Sequence, residues 1–225
     1  MKPMKLTLPL MEAIEACAAV LPHVSKDDIT PALTVAVIEG DRIIATDRFT
    51  VGAFKLSASL KSGKILLPHA AVQHLATFPT KTLIDIDLMR LGMRDPETDY
   101  TVTIEAVTSE PVDDEPAGAE RPPVKVAVCS KKRGAEQTRQ FRHVKAKPPP
   151  VGRMIEDFTP GEIAQVRISP EMLEKFTRYA KKWHPRQPLM FTHSVGGKKP
   201  GPLRVAIGKF EGLLQPNLML DREER

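Results

Sequence analysis

Cysteine, aromatic residues and long apolar runs are all scarce in this chain of 225 residues. The two cysteines, Cys17 and Cys129, lie far apart, which argues against a disulfide framework and suits reduced thiols inside a cell. No apolar run approaches the roughly 18 residues of a membrane-spanning helix, and the first residues lack the apolar core of a signal peptide. We therefore predict a cytoplasmic protein with no membrane partner.

Aromatic residues make up only 5% of the chain, although 41% of its residues are hydrophobic. A chain of this length can bury a sizeable core, but that core must be built mainly from Leu, Ile, Val, Ala and Met. The 21 prolines indicate many rigid turns. This composition favours a strand-rich globular protein of one large domain or two small ones.

Motifs of catalysis and metal binding are also lacking. His69 and His74 are five residues apart, so they do not share a helical face as an i, i+4 metal pair does, and no Cys-x-x-Cys motif supplies further ligands. The stretch VGGKKPGP at residues 195–202 lacks the Gly-Lys-Ser/Thr ending of a phosphate-binding loop. We therefore predict that the protein is not an enzyme and uses no metal or other cofactor.

Charge is present and unevenly placed. The formal net charge is +5, which is compatible with an anionic partner. Acidic residues gather at 109–120, whereas Lys and Arg gather at 131–133, 139–147 and 175–186. The basic side is therefore patchy, and its meaning depends on where these stretches lie in the fold.

The order of apolar periodicities predicts three units, each a strand followed by a helix and further strands. Helices are expected at Leu10 to Leu21, at His69 to Phe78 and at Pro170 to Trp183, where apolar residues recur at helical spacing. Strands are expected, among other places, at TLIDIDL (82–88), YTVTIEAV (100–107), VKVAVCS (124–130), around TRQFRHV (138–144) and at IAQVRIS (163–169). The stretch RMIEDF at residues 153–158 is short for a fourth helix. The segment KAKPPPVG before it is expected to be an extended connector, because consecutive prolines cannot donate to a sheet.

Between two predicted strands, the stretch IIATDRFTVGAF at residues 43–54 contains a polar corner. Asp and Thr can close a tight turn with their own side chains, which is a sufficient structural reason for their presence. A functional reason depends on the wider pattern of the chain.

That pattern resembles the bacterial β sliding clamp, the processivity ring of the replicative DNA polymerase. Residues 22–54 show a loop with two acids before a Pro-x-Leu strand, a Gly-Asp hairpin and an Ala-Thr-Asp corner, and KILLPHAAVQHLATF follows as a strand ending in Pro and a helix. QTRQFRHVKAKPPP is similar to the exit of such a domain, and EGLLQPNLML is similar to the last strand of the clamp. A short variant of this kind would suit a bacteriophage or mobile element.

The resemblance implies an α+β DNA-clamp fold, with antiparallel sheets outside and helices lining a ring. Residues 1–150 would form one complete clamp domain similar to the middle domain of the family, and residues 151–225 would form half of its last domain. A groove that binds DNA polymerase and the clamp loader would lie between the corner and the final strand. One wall would contain Thr46, Asp47, Phe49 and Val51, and the other would contain Leu213, Gln215, Pro216 and Leu218. Thr50 stands where the family commonly has a basic residue, and Gln215 replaces a usual Met, so the choice of client is open.

Double-stranded DNA is the second partner that the resemblance implies, bound without regard to sequence. The predicted third helix presents Lys175, Arg178, Lys181, Lys182 and, just beyond its end, Arg186. These cations gather on one side of a helical wheel, with apolar residues on the other. Lys131, Lys132 and Arg133 are further candidates for phosphate contact. The alternative is that both groups are ordinary solvated basic surfaces.

Two functions follow. The first is a homo-oligomeric ring that encircles duplex DNA and tethers replication proteins, and the second is an adaptor or decoy that binds those proteins without encircling DNA. Rings of the family are lined by about twelve helices and must close with a whole number of identical chains. Three helices per chain favour a tetramer, and a fourth helix at 153–158 would permit a trimer.

Overall fold

The computed structural model describes residues 3–27, 29–79, 100–107, 122–130, 134–160, 168–194 and 201–215. Within these ranges the strands are β1 (Pro3–Pro9), β2 (Val35–Glu39), β3 (Arg42–Thr46), β4 (Thr50–Lys55), β5 (Lys64–Pro68), β6 (Tyr100–Val107), β7 (Val124–Ser130), β8 (Gly134–Phe141), β9 (Met190–His193), β10 (Leu203–Ile207) and β11 (Phe210–Leu214). The α-helices are α1 (Leu10–Val20), α2 (His69–Ala76), α3 (Val151–Glu156) and α4 (Pro170–Trp183), and two short 3-10 helices are η1 (Leu21–His23) and η2 (Pro31–Leu33).

The described strands form two antiparallel sheets. One has the order β1-β6-β7-β8, and the other has the order β5-β2-β3-β4-β11-β10-β9. The seven-stranded sheet contains strands that precede residue 150 and strands that follow it. The two groups are joined because β11 pairs over its whole length with β4. The predicted division into a complete and a half domain stays a prediction.

Side-chain alternation gives the seven-stranded sheet two apolar faces. On one face, residues such as Phe54, Phe210 and Leu214 join the main core with α1, α2, α4 and the four-stranded sheet. On the other face, a second cluster contains Ile44, Val51, Ala53 and Leu213 with Val151, Ile155 and the flanking Phe158. Successive side chains of a strand point to opposite faces, so β4 contributes to both clusters.

Three predicted helices are confirmed as α1, α2 and α4. The stretch at 153–158, which is short for a helix and was left open as a fourth one, overlaps the six-residue helix α3. So short a helix has little stability of its own. It is stabilised here because Val151 and Ile155 are buried in the second cluster and because Glu156 Oε1 lies 3.8 Å from Arg42 Nη1. Helix α3 therefore lies on the face of the sheet opposite α1, α2 and α4.

Other boundaries differ slightly from the sequence prediction. Strand β8 ends at Phe141, three residues before the end of the predicted strand TRQFRHV. The run from Leu203 is divided into β10 and β11 by a turn at Gly208, whose φ is +56°. The predicted strand TLIDIDL at 82–88 and most of the strand IAQVRIS at 163–169 lie outside the described residues.

Two glycines allow the β4–β11 junction to pack tightly. Gly52 and Gly212 are paired across the strands. A Cβ atom at Gly52 would lie 2.3 Å from His23 Cδ2, and one at Gly212 would lie 2.6 Å from Phe176 Cε1. The missing side chains let the two rings lie against the sheet, where their centroids are 4.8 Å apart.

Candidate functional site

The polar corner between β3 and β4 is closed by its own side chains. Asp47 Oδ1 accepts hydrogen bonds from the backbone N–H of Phe49 at 3.1 Å and of Thr50 at 2.8 Å. Thr46 Oγ1 donates to the carbonyl of Thr50 at 2.9 Å and accepts from the backbone N–H of Arg48 at 3.2 Å. The structural interpretation of the Asp and Thr residues in this corner is therefore confirmed.

Arg48, at the tip of the corner, has an unusual backbone conformation. Its φ is 83°, and among the described residues it is the one non-glycine with positive φ. Such a conformation costs an L-residue on the order of 1 kcal/mol or more. The guanidinium of Arg48 donates a hydrogen bond to Thr30 Oγ1, which ties the corner to the loop before η2.

A pocket of about 450 Å³ opens beside this corner. Its apolar lining comes from η2, from the start of β4 and from the connector into α3, and comprises Ala32, Leu33, Val51, Pro149 and Val151. Thr30 and Thr46 add hydroxyl groups, and Arg48 and Lys147 bring positive charge to the lining. The pocket is therefore a largely apolar depression with a cationic component.

The first predicted wall is only partly on this pocket. Thr46 and Val51 line it. The Asp47 carboxylate is instead paired with Lys175 on α4. Phe49 is 58% exposed at the tip of the corner, outside the lining.

The second predicted wall lies next to the first. Leu213 pairs with Val51 across the strands, and its side chain is buried in the second cluster. The backbone N–H of Gln215 donates to the carbonyl of Phe49 at 3.1 Å, while its side chain is exposed. Pro216 and Leu218 lie outside the described residues. The described parts of both walls thus meet at one end of the central strand pair β4 and β11.

The pocket contains residues that sequence reasoning did not select. They are Thr30 before η2, Ala32 and Leu33 of η2, Arg48, and Lys147, Pro149 and Val151 of the connector and α3. Arg48 stands inside the quoted corner, and its position between two selected residues was an available signal. The connector gave no such signal, because its prolines indicated only an extended chain.

Behind the corner, a buried polar network connects it to two helices. Lys175 Nζ donates to Asp47 Oδ2, and Thr50 Oγ1 donates to Asp47 Oδ1 at 2.9 Å. Because the Thr50 proton is used in that bond, His23 Nδ1 is the donor in its 2.9 Å contact with Thr50 Oγ1. The network runs from α4 through the corner to the fully buried His23 in η1.

The pKa values of this network are shifted. Burial alone raises the pKa of the Asp47 carboxyl, but hydrogen bonds from Lys175 and Thr50 outweigh it, and the pKa lies below its ordinary value. Burial, together with the Lys175 ammonium, lowers the pKa of His23 to about 3 despite the opposing Asp47 carboxylate. Near pH 7, the Asp47 carboxyl is therefore ionised and the His23 ring is neutral.

Comparison with known proteins identifies the architecture. No family model matches the chain, and no curated protein matches its sequence. The DNA polymerase III β subunit of Borrelia burgdorferi, solved in complex with a natural product, superposes with a TM-score of 0.56 at 9% identity, over 96% of this chain and 64% of that one. The DNA polymerase sliding clamp of Bacillus subtilis gives a TM-score of 0.50 at 11% identity, over 95% of this chain and 64% of that one. The chain has the sliding-clamp fold.

The fold class that the resemblance implied, an α+β clamp fold with antiparallel sheets, is confirmed. Its arrangement as a ring lined by helices stays a prediction. At these identities the similarity concerns the fold alone. The chain spans about 64% of the length of the clamp structures described above.

The basic residues in α4 and just after its end lie in two different environments. Arg178, Lys181, Lys182 and Arg186 are exposed. Lys175 is turned toward Asp47 and is half-buried, so it does not share the surface of the other four. Arg178 Nη2 is 2.9 Å from Glu174 Oε1, an i, i+4 pair exposed to solvent. Lys131, Lys132 and Arg133 fall outside the described ranges.

A second cavity, of about 380 Å³, lies between the end of η1, α2 and α4. Charges of both signs line it, including Lys26, Glu174 and Arg178, and His69 is part of the same lining. Burial and the Lys26 ammonium lower the pKa of His69, so this ring is neutral near pH 7. The mixed lining gives no preference for a ligand of one charge.

Within the described ranges no three His, Cys, Asp or Glu side chains come together as a metal site would require. None of the helices described above is long and apolar enough to cross a membrane.

Proposed function

We propose that this chain is a non-catalytic, clamp-like tether that holds client proteins at the pocket beside the corner and surrounds duplex DNA as a homo-oligomeric ring. The carrying observation is the pocket itself: in a chain with the sliding-clamp fold, an apolar depression opens at the junction of β3, β4 and the α3 connector. Predicted residues Thr46 and Val51 line it, and the end of β11 lies beside them.

The chemistry of the pocket suits an apolar peptide segment. Ala32, Val51 and Pro149 present hydrocarbon surface, and the volume of about 450 Å³ can hold more than one large side chain. Each Leu or Phe side chain that leaves water contributes about 1.5–3 kcal/mol. The DNA polymerase and the clamp loader are the client classes that we propose for this pocket.

The exposed cations of α4 support contact with DNA. Lys181 and Lys182, on the exposed side of α4, and Arg186, just beyond its end, have no ion pair with a described residue. The other side of α4 is buried through Phe176 and Tyr179. Cations of this kind attract phosphates without regard to base sequence, and the attraction weakens as salt is added. Lys175 is excluded from this proposal because its ammonium is paired with the Asp47 carboxylate.

Edge strands support assembly into a ring. Among the described strands, β9 comes last in the seven-stranded sheet, and two of its large apolar residues, Met190 and Phe191, are 67% and 45% exposed. An exposed apolar edge is a hazard for aggregation unless another strand pairs with it. We place β9 at the contact between neighbouring copies, as part of a closed symmetric assembly.

The position of α3 bears on the number of copies. This helix lies on the sheet face opposite α1, α2 and α4, so it does not extend the helical layer. With about twelve helices needed for a closed ring of identical chains, the three helices of this layer in the described part of each chain correspond to a tetramer. A trimer would need a fourth helix in the same layer of each chain. Because α3 lies on the other face of the sheet, it does not supply that helix.

The pocket can be tested by filling it. Ala32 is half-buried in the lining, so Ala32→Trp adds bulk without removing a core side chain. Ala58→Trp is the matched control, because Ala58 is also half-buried but does not line the pocket. We expect Ala32→Trp to weaken binding of a Leu-Phe peptide at least about tenfold, the loss of about 1.4 kcal/mol, while Ala58→Trp binds like the parent. Equal affinity in both folded variants would exclude this pocket as the client site.

A further inference from the structure

One side of the pocket beside the corner comes from the α3 segment, residues 149–158. Pro149 and Val151 supply that side of the lining. Among the described residues, the backbone hydrogen bonds of this segment stay within it, as in the 2.7 Å bond from the N–H of Asp157 to the carbonyl of Arg153. In the described part of the chain, side chains alone therefore attach the α3 segment to the seven-stranded sheet.

Apolar contacts hold the first part of α3. Val151 and Ile155 are buried in the second cluster with Ile44 and Leu213. A Cβ atom at Gly152 would lie 3.4 Å from Ile44 Cδ1, so the helix backbone lies close to β3. Because a helix of six residues has little stability of its own, the contacts at its other end also decide where it lies.

Two arginines of the sheet contact that other end. Arg42 Nη1 of β3 lies 3.8 Å from Glu156 Oε1 and 3.9 Å from Glu211 Oε1. Arg204 of β10 donates a hydrogen bond from Nη2 to Glu211 Oε2, and its guanidinium carbon lies 5.9 Å from the centre of the Phe158 ring. Each arginine thus contacts Glu211 in the sheet and one residue of the α3 segment. We call Arg42, Arg204 and Glu211 the latch.

Strand register explains why the latch lies on the same face of the sheet as α3. Arg42 precedes Ile44 by two residues, Glu211 precedes Leu213 by two, and Arg204 is paired with Leu213 across the strands. Residues two apart in a strand share a face, and so do residues paired across strands. Because Arg42 begins β3 and the corner follows the end of β3, the latch lies away from the pocket.

The latch holds α3 with only moderate strength. Arg42 Nη1 and Arg204 Nε are buried, and neither has a hydrogen-bond partner in the described part of the chain. The two carboxylates near Arg42 Nη1 attract it electrostatically but lie beyond hydrogen-bond distance. Buried donors without an acceptor cost free energy. Loss of a latch side chain is therefore enough to shift the position of α3.

We infer that Arg42 and Arg204 are positioning residues, which hold α3 against the sheet and thereby fix one side of the pocket. This inference rests on the proposed function, because the pocket is the proposed client site. Neither arginine belongs to the described lining, so each acts on a ligand only through α3. If α3 is in place for only part of the time, the apparent affinity of the pocket falls in proportion.

The first measurement follows α3 without a ligand. Amide hydrogen exchange of residues 151–158 is measured on the full chain, with residues 173–180 of α4 as the internal reference. The double variant Arg42→Gln, Arg204→Gln should exchange about threefold to fivefold faster at 151–158, the scale of an exposed ion pair, with no change at 173–180. The double variant Arg42→Lys, Arg204→Lys keeps both charges and should stay closer to the parent.

The matched control is Arg153→Gln. Arg153 is an exposed arginine of α3 that has no ion pair with a described residue and does not belong to the described lining of the pocket. Its replacement removes one positive charge from the same helix without touching the latch. Exchange at 151–158 should equal that of the parent.

The second measurement is the affinity of an amidated Leu-Phe peptide, determined by fluorescence anisotropy on the same variants. The double Gln variant should bind about threefold to fivefold more weakly than the parent, in line with its faster exchange. Arg153→Gln should bind like the parent, and the double Lys variant should lose less affinity than the double Gln variant.

The outcomes separate this inference from the proposed function. Unchanged exchange at 151–158 in the double Gln variant overturns the inference, and so does an equal increase at 173–180, which would show a loss of global stability. Faster exchange with unchanged peptide affinity also overturns it, because α3 would then not fix the pocket. If the parent binds no peptide, the client site itself is refuted, and the exchange measurement still decides whether the latch holds α3.

Discussion

The ammonium of Lys175 on α4 is paired with the carboxylate of Asp47 in the corner between β3 and β4. The same carboxylate organises the corner through the backbone N–H groups of Phe49 and Thr50. Thr46 and Arg48, which flank Asp47 in sequence, line the proposed client pocket. The ion pair therefore links the helix that we expect to face DNA with the site that we expect to hold clients.

Removal of Lys175 should destabilise the fold. In the variant Lys175→Met, the largely buried Asp47 carboxylate loses its cation, and a loss of about 1–3 kcal/mol in the free energy of unfolding is expected. The matched variant Lys181→Met removes an exposed cation and should change stability by less than about 0.5 kcal/mol. Urea unfolding measures both.

A double-mutant cycle isolates the pair from its surroundings. Asp47→Asn and Lys175→Met are combined, and the coupling energy is the difference between the double change and the sum of the single changes. A positive coupling above about 0.5 kcal/mol is expected. Strict additivity would show that the two side chains do not interact in solution.

The salt dependence of DNA binding should distinguish the cations of α4. Each phosphate contact contributes about −0.9 to the slope of log K against log salt. Replacement of Lys181 and Lys182 by Gln should make the slope less steep by up to about 1.8. Lys175→Gln should leave the slope unchanged, because the Lys175 ammonium is already paired with the Asp47 carboxylate. A slope that responds to Lys175 and not to Lys181 and Lys182 would reverse the assignment.

The buried His23 should make stability depend on pH. Its pKa in the folded chain is about 3, below the ordinary value of 6.5, so the unfolded chain takes up a proton first as pH falls. The free energy of unfolding should therefore decrease by up to about 1.4 kcal/mol per pH unit between about pH 6.5 and pH 3. The low pKa of Asp47 acts in the same direction at the acidic end of this window, because its carboxylate form is favoured in the folded state.

Urea titrations across this window measure the slope, and His23→Gln provides the comparison. The variant has no imidazole to protonate in its unfolded state, so its stability should vary less between pH 6.5 and pH 5. An identical slope in the parent and the variant would assign the pH dependence to other groups.

The strain at Arg48 predicts a difference between two small substitutions. Arg48→Gly and Arg48→Ala both remove the guanidinium and its bond to Thr30. Glycine accepts φ 83° without the steric cost that alanine retains, so the Gly variant should be more stable than the Ala variant by about 1 kcal/mol. If alanine is tolerated equally well, the corner relaxes to another conformation in solution.

Local pattern predicted much of this fold because the corresponding elements depend on local physics. The apolar spacing in α1 and α4, and the alternation in β6 and β7, are visible in the sequence and agree with the structure. The corner was predictable because Asp and Thr side chains bond to backbone groups within three or four residues.

Contacts between distant segments explain what the sequence did not reveal. A helical wheel places Lys175 with Arg178 and Lys182, but the partner that occupies Lys175 is 128 residues away in sequence. Helix α3 has too few residues to be recognised by periodicity, and its formation depends on apolar contacts with β3, β4 and β11. The pocket combines η2, the corner and the α3 connector, so no single stretch of sequence contains it.

The most direct test of the proposed clamp is retention on DNA with blocked ends. The protein is allowed to thread onto linear duplex DNA that is fixed to a bead at one end, and the free end is then closed with biotin and streptavidin. A ring that encircles DNA should survive a high-salt wash on the closed DNA and should be released when a restriction enzyme cuts the duplex. Loss of the protein in the salt wash, with the ends still closed, would show that the chain binds DNA only through its basic surface and does not encircle it.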